Sequence, residues 1–94
     1  MPGPQPERSE VRYAGRVQGV GFRYTVRSLA RGFAVSGYVK NLRDGRVELV
    51  VEGEPAEIDR FLAAVQREMG YYVGQVEQTR GAATGTLVGF EIRF

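Results

Sequence analysis

Val35-Ser-Gly-Tyr-Val-Lys-Asn-Leu-Arg-Asp-Gly-Arg-Val-Glu-Leu-Val-Val-Glu52 reads as two strands folded back on each other. The stretch from Val35 to Leu42 is the first strand of the pair, and Val47 to Glu52 is its returning partner. Arg43-Asp44-Gly45-Arg46 lies between them. Its Asp-Gly pair is a strong hairpin signal, because glycine reaches positive φ without a steric penalty.

The flanks put a helix on either side of this hairpin. Upstream, Val11, Tyr13 and Val17 alternate with polar positions, which predicts a strand from about Glu10 to Val17. A glycine-rich turn follows. Phe22, Val26, Leu29, Ala30 and Phe33 then recur at helical spacing, with Gly32 placed to end the helix. Downstream, Pro55 suits the first turn of a second helix, where its fixed φ is favourable and its missing N–H is not needed. Ile58, Phe61, Leu62, Val65 and Met69 form one apolar stripe, closed by Gly70. Tyr71 to Glu77 predicts a strand, Gly81-Ala-Ala-Thr-Gly85 a loop, and the alternation of Val88, Phe90, Ile92 and Phe94 a last strand. The order β-α-β-β-α-β-β predicts an α+β fold. Two helices would pack on one face of a mostly antiparallel five-stranded sheet, a ferredoxin-like αβ sandwich.

A chain of 94 residues suits one domain with one core. Met1-Pro-Gly-Pro-Gln-Pro-Glu-Arg8 reads as a flexible leader, so the folded domain is expected over 9–94. The leader lacks a signal-peptide core, and no apolar run approaches the ~20 residues of a membrane span. A cytoplasmic protein with no membrane partner is the expectation. The chain has no cysteine, which excludes disulfides and thiolate chemistry, and no histidine, which removes the commonest general base and metal ligand. Net charge is only +2, from 13 basic and 11 acidic residues, so no nucleic-acid partner is expected.

The loop Gln18-Gly19-Val20-Gly21-Phe22 joins the first strand to the first helix. Its glycines let successive N–H groups turn inward as a nest for an anion, and the helix start adds its own unpaired N–H groups. Arg23 stands in the first helical turn, where the dipole disfavours a cation by roughly 0.3–1 kcal/mol. A bound anion would reverse that sign and give the guanidinium a bidentate partner. A tight strand-helix turn followed by a solvated arginine accounts for the same residues. The glycine pattern is neither a dinucleotide fingerprint nor a Walker loop. Asn41 is unusual late in a strand, because its amide competes with the backbone for hydrogen bonds. It either starts the turn toward Asp44-Gly45 or holds a water. Asp44, Glu48 and Glu52 fall in a turn and on alternating strand positions, and read as solvated surface carboxylates rather than a metal site.

Taken together, Gly15-Arg-Val-Gln-Gly-Val-Gly-Phe-Arg23 resembles the first signature of the acylphosphatases, and Gly37-Tyr-Val-Lys-Asn-Leu-Arg-Asp-Gly-Arg-Val-Glu48 resembles the second. The resemblance runs from about Val11 to the end, through Val51-Glu-Gly53 and Phe90-Glu-Ile92. It departs between Met69 and Val76, where this chain has Gly70-Tyr71-Tyr72 in place of the Gly-Pro turn frequent in the family. The resemblance implies hydrolysis of a small-molecule acyl phosphate to a carboxylate and inorganic phosphate, without metal or cofactor, by a ferredoxin-like sandwich. It implies that Arg23 binds the phosphoryl group, that Asn41 places the attacking water, and that backbone amides of Gln18, Gly19, Val20, Gly21, Phe22 and Arg23 line the cradle. Nothing in the sequence demands more than a monomer.

Two other functions share some of these features. A phosphate sensor, or a domain like the acylphosphatase-like part of a larger maturation enzyme, would keep the cradle and drop catalysis. A water-placing Asn41 would serve no purpose there, and a chain ending at the last strand argues against a fragment. An RNA-binding module is suggested by Arg31-Gly-Phe-Ala-Val-Ser-Gly-Tyr38, a partial RNP1 pattern. Its Phe33 belongs instead to the apolar face of the first helix, and the stripe of Arg23, Arg27 and Arg31 suits an amphipathic helix surface.

Overall fold

The computed structural model describes residues 5–94. Its elements are β1 (Glu7–Gly15), α1 (Phe22–Ala30), β2 (Val35–Asn41), β3 (Val47–Gly53), α2 (Pro55–Met69), a 3-10 turn (Gly70–Tyr72), β4 (Val73–Ala82) and β5 (Phe90–Arg93). The central hairpin closes as its turn chemistry requires. Gly45 takes φ 93°, the Leu42 N–H donates to the Arg46 carbonyl at 2.8 Å, and Asp44 Oδ1 accepts the Arg46 N–H at 3.0 Å. The strands then pair antiparallel from Val35 opposite Gly53 to Asn41 opposite Val47.

The sheet order is β4-β1-β3-β2-β5. β1 pairs antiparallel with β3 and β4, and β2 pairs antiparallel with β3 and parallel with β5. Val11, Tyr13, Val39, Val47, Leu49 and Val51 form a single core with Phe22 and Val26 of α1 and Ile58, Phe61, Val65 and Met69 of α2. Both helices therefore cover one face, giving the ferredoxin-like α+β sandwich. Phe61 is fully buried and meets Phe33 and Phe90 with ring centroids 5.6 Å away in each case. Truncating such a phenylalanine costs about 3–5 kcal/mol. Phe33 is thus committed to the helix layer and is not displayed on the open face of the sheet, as RNP1 recognition requires. Among the described residues, no helix is long and apolar enough to cross a membrane.

Several boundaries differ from the sequence reading. β1 begins at Glu7, so Glu7 and Arg8 belong to the sheet and not to a leader; residues 1–4 lie outside the described range. Glu7 lies opposite Gly53 on one side and Ala82 on the other, and these ladders hold the chain where composition suggested freedom. At the other end of β1, Val17 lies beyond the strand yet is buried. β4 starts two residues late, after the 3-10 turn, and runs on through Gly81 and Ala82, because β1 offers a partner along its whole length. β5 is shorter than its alternation suggested, leaving Val88 and Phe94 outside it and exposed. Neither Gly32 nor Gly70 ends its helix in the left-handed region. The backbone tightens into i→i−3 bonds instead, with Gly32 N–H donating to Leu29 O and Phe33 N–H to Ala30 O.

Glu52 also differs from the expectation of a solvated carboxylate. It is only 4% exposed, because the β4–β5 crossover folds over it. Its oxygens accept from Arg8 Nη1 at 2.9 Å, from the Thr84 N–H at 3.0 Å and hydroxyl at 2.8 Å, and from the Gly85 N–H at 3.1 Å. Burial opposes ionisation, but these donors outweigh it and hold the carboxyl down at about 2. Asp44 and Glu48 are paired separately, with Arg46 and Arg12. Among the described residues no group of three or more histidines, cysteines or carboxylates could hold a metal ion.

Candidate active site

Two connections converge at the end of the sheet where β1 leads into α1 and β2 turns into β3. The first is the loop from Gly15 to Gly21. Gly15 has φ 130°, and a side chain there would collide with the Tyr72 carbonyl and the Gly74 N–H group. This close approach lets the Arg16 N–H donate to Tyr72 O at 2.9 Å. The Gly70-Tyr71-Tyr72 departure thus forms the 3-10 turn that holds the start of the loop. Tyr13 anchors the far end, its ring 5.1 Å from that of Phe22. Burial pushes the Tyr13 phenol far up, so it stays a neutral hydroxyl in the core.

Gly19 and Gly21 take φ of 78° and 79°, whereas among the described residues no non-glycine residue is at positive φ. Left-handed glycines on either side of Val20 alternate the backbone as an anion nest requires. Gly21 is also the N-cap of α1, with no side-chain cap and no acidic residue in the first turn. The first N–H groups of the helix are therefore left without a capping side chain, and no carboxylate offsets the positive end of its dipole.

Gly19, Gly21, Phe22, Arg23 and Asn41 line one cavity of about 210 Å³, together with Val17 and Tyr24. Arg23 is half-buried, makes no salt bridge among the described residues, and has its guanidinium 5.0 Å from the centre of the Phe94 ring. Asn41 ends β2 on the opposite wall. A concave array of N–H groups, an uncommitted guanidinium and a neutral amide can together bind a tetrahedral oxyanion and orient a water beside it.

The side chains of two residues whose backbone amides were expected in the cradle are engaged elsewhere. The Val20 side chain packs against the core, and the Gln18 side chain turns to the hairpin, donating to Leu42 O and Arg46 O. Sequence reasoning in turn missed Val17, which it read only as a strand residue, and Tyr24 of α1. Phe94 was assigned to the last strand, and nothing local in the sequence joins it to Arg23.

A family model described as Acylphosphatase matches residues 9–92. The acylphosphatase of Archaeoglobus fulgidus is 53% identical over 57 residues, an alignment covering 61% of this chain and 64% of that protein. The acylphosphatase of a Synechococcus species is 46% identical over 87 residues, covering 92% of each chain. Among solved structures, the crystal structure of acylphosphatase from Bacillus subtilis matches with a TM-score of 0.85 at 34% identity, over 94% of this chain and 99% of that one. Since sequence and fold match over nearly the whole chain, and both signature segments face one cavity, the chain belongs to the acylphosphatase family.

Proposed function

We propose that this acylphosphatase holds the phosphoryl group of its substrate on the backbone N–H groups from Gln18 to Arg23 and on the Arg23 guanidinium, while the Asn41 amide orients the attacking water. The observation that carries this reading is the meeting of Gly19, Gly21, Phe22, Arg23 and Asn41 around one cavity.

Water attacks phosphorus, the P–O bond to the acyl oxygen breaks, and the carboxylate departs with the electron pair. The water oxygen stays on phosphorus, giving inorganic phosphate, and the released proton goes to solvent. A carboxylate is a weak base, so the leaving group needs little help from a general acid, which suits a chain without histidine. The loose transition state mainly requires positioning and charge stabilisation. The nest and the helix start stabilise the equatorial oxygens with dipoles that need no reorganisation. Arg23 supplies the positive charge that a metal ion would otherwise bring, and Asn41 supplies the alignment. The working form in this reading is a cytoplasmic monomer without a cofactor, acting on a small acyl phosphate.

The test is phosphate release from acetyl or benzoyl phosphate in excess EDTA. Arg23→Ala and Asn41→Ala should each abolish most turnover while circular dichroism stays that of the folded protein. Inactivity without added metal, or full activity of the Asn41 variant, would refute the mechanism.

A further inference from the structure

The Gln18 side chain crosses from the cradle to the hairpin that carries Asn41. Its Nε2 donates to Leu42 O at 2.8 Å and to Arg46 O at 3.0 Å. Both carbonyls already have one partner within the turn. Leu42 O accepts from the Gly45 N–H at 3.2 Å, and Arg46 O accepts from the Leu42 N–H at 2.8 Å. Gln18 therefore takes the second acceptor position of each oxygen that closes the hairpin, and uses both of its amide hydrogens to do so. Leu42 directly follows Asn41, and Arg46 directly precedes Val47, the residue opposite Asn41 in the sheet. Along the chain from Gln18 in the other direction lie the left-handed Gly19 and Gly21 of the nest, on either side of Val20.

From this geometry we propose that Gln18 is a positioning residue: its side-chain amide sets the distance between the phosphate cradle and the Asn41-held water. The inference rests on the roles given above to the cradle and Asn41, and adds how they are kept in register. The two segments lie on different connections, and neither β1 nor α1 pairs with β2 in the sheet ladder. The cradle can keep its own shape through its glycines and the Arg16–Tyr72 bond. Its placement against Asn41 has a direct polar tie in Gln18. The chemical step depends on the water lying in line with the scissile bond, where a displacement on the order of 1 Å costs about a hundredfold. Binding of phosphate by the cradle alone has no such dependence on Asn41.

Gln18→Met preserves side-chain length and removes both donors, and Gln18→Ala removes the tie altogether. Each is made in the otherwise unchanged protein and in Asn41→Ala, with kcat and KM measured on benzoyl phosphate and the inhibition constant of inorganic phosphate measured alongside. The expected result is a fall in kcat of roughly 10- to 100-fold for Gln18→Met, with phosphate inhibition changed by less than ~3-fold. In Asn41→Ala, the same change should lower kcat by less than ~2-fold, because the group it aligns is gone. An unchanged kcat, a full fall persisting in Asn41→Ala, or a parallel loss of phosphate affinity would each overturn the tether. The underlying reading fails separately: if Asn41→Ala keeps full activity, the water-placing role is wrong and the tether falls with it. If Asn41→Ala is crippled and Gln18→Met is not, only the tether is wrong. Melting curves of both Gln18 variants separate these outcomes from unfolding.

Discussion

The guanidinium of Arg23 and the ring of Phe94 are stacked, with 5.0 Å between the guanidinium carbon and the ring centre, although 70 positions separate them in the chain. Phe94 is 97% exposed, so the contact is made at the molecular surface. It limits the rotamers of an arginine that makes no salt bridge among the described residues. A cation–π contact at an exposed site is worth about 0.5–1 kcal/mol. Phe94→Ala should therefore raise KM about 2- to 5-fold, leave kcat nearly unchanged, and lower stability by no more than about 1 kcal/mol. Steady-state kinetics with benzoyl phosphate and a thermal melt test both parts.

Arg23 is expected to report phosphate binding through stability. Inorganic phosphate at a hundred times its dissociation constant should stabilise the protein by about 2.7 kcal/mol, raising Tm. Arg23→Ala should lose most of this rise while retaining nearly the original Tm without phosphate, since the residue makes no salt bridge among the described residues and opposes the helix dipole. A variant whose Tm still climbs with phosphate would place the anion elsewhere.

Gly19 tests the cradle backbone apart from any side chain. A Cβ there would meet no atom within 4 Å, so the cost of Gly19→Ala comes from φ of 78° and should be about 1–2 kcal/mol. Phosphate inhibition should weaken at the same time, as the N–H groups leave their concave arrangement. Gly81→Ala is the control, since its site is equally open and is not at positive φ. It should change stability by no more than about 0.5 kcal/mol and leave inhibition unaltered.

Glu52 makes stability sensitive to acid at the end of the sheet away from the cavity. Its carboxyl is lowered from 4.5 to about 2 in the fold, so the unfolded chain takes up the proton first as pH falls. The stabilisation is fully present above about 5 and declines progressively as pH falls through 4.5 toward 2. Glu52→Gln should cost about 1–3 kcal/mol at pH 7, through poorer partners for Arg8, Thr84 and Gly85. It should also flatten the dependence of urea stability on pH between about 5 and 2. An unchanged slope in that window would assign the acid sensitivity to other carboxylates.

Much of this protein is determined within short stretches of sequence. Asp44-Gly45 sets the hairpin, Pro55 begins α2, and the apolar spacings from Phe22 and Ile58 set both helices, because these choices depend on φ preferences and on neighbours one or two turns away. The same locality makes the loop legible: glycines leading into a helix that carries Arg23 need no distant partner to be recognised. The pairing of that cradle with Asn41 was reached through family resemblance and not through spacing.

Other features were decided only when the sheet assembled. The order β4-β1-β3-β2-β5 puts the end of β1 near the end of β2. It extends β1 back to Glu7, lays Phe94 over Arg23, buries Glu52 beneath Thr84 and Gly85, and sends the Gln18 amide to Leu42 and Arg46. Each of these contacts joins residues tens of positions apart. Such contacts form only where burying one shared core makes the cost of ordering the intervening chain worth meeting, so no local pattern announces them. The sequence alone determined that a glycine-rich turn would lead from the first strand into a helix carrying Arg23. The tertiary structure decided what stands across from it, because Asn41 belongs to a different strand.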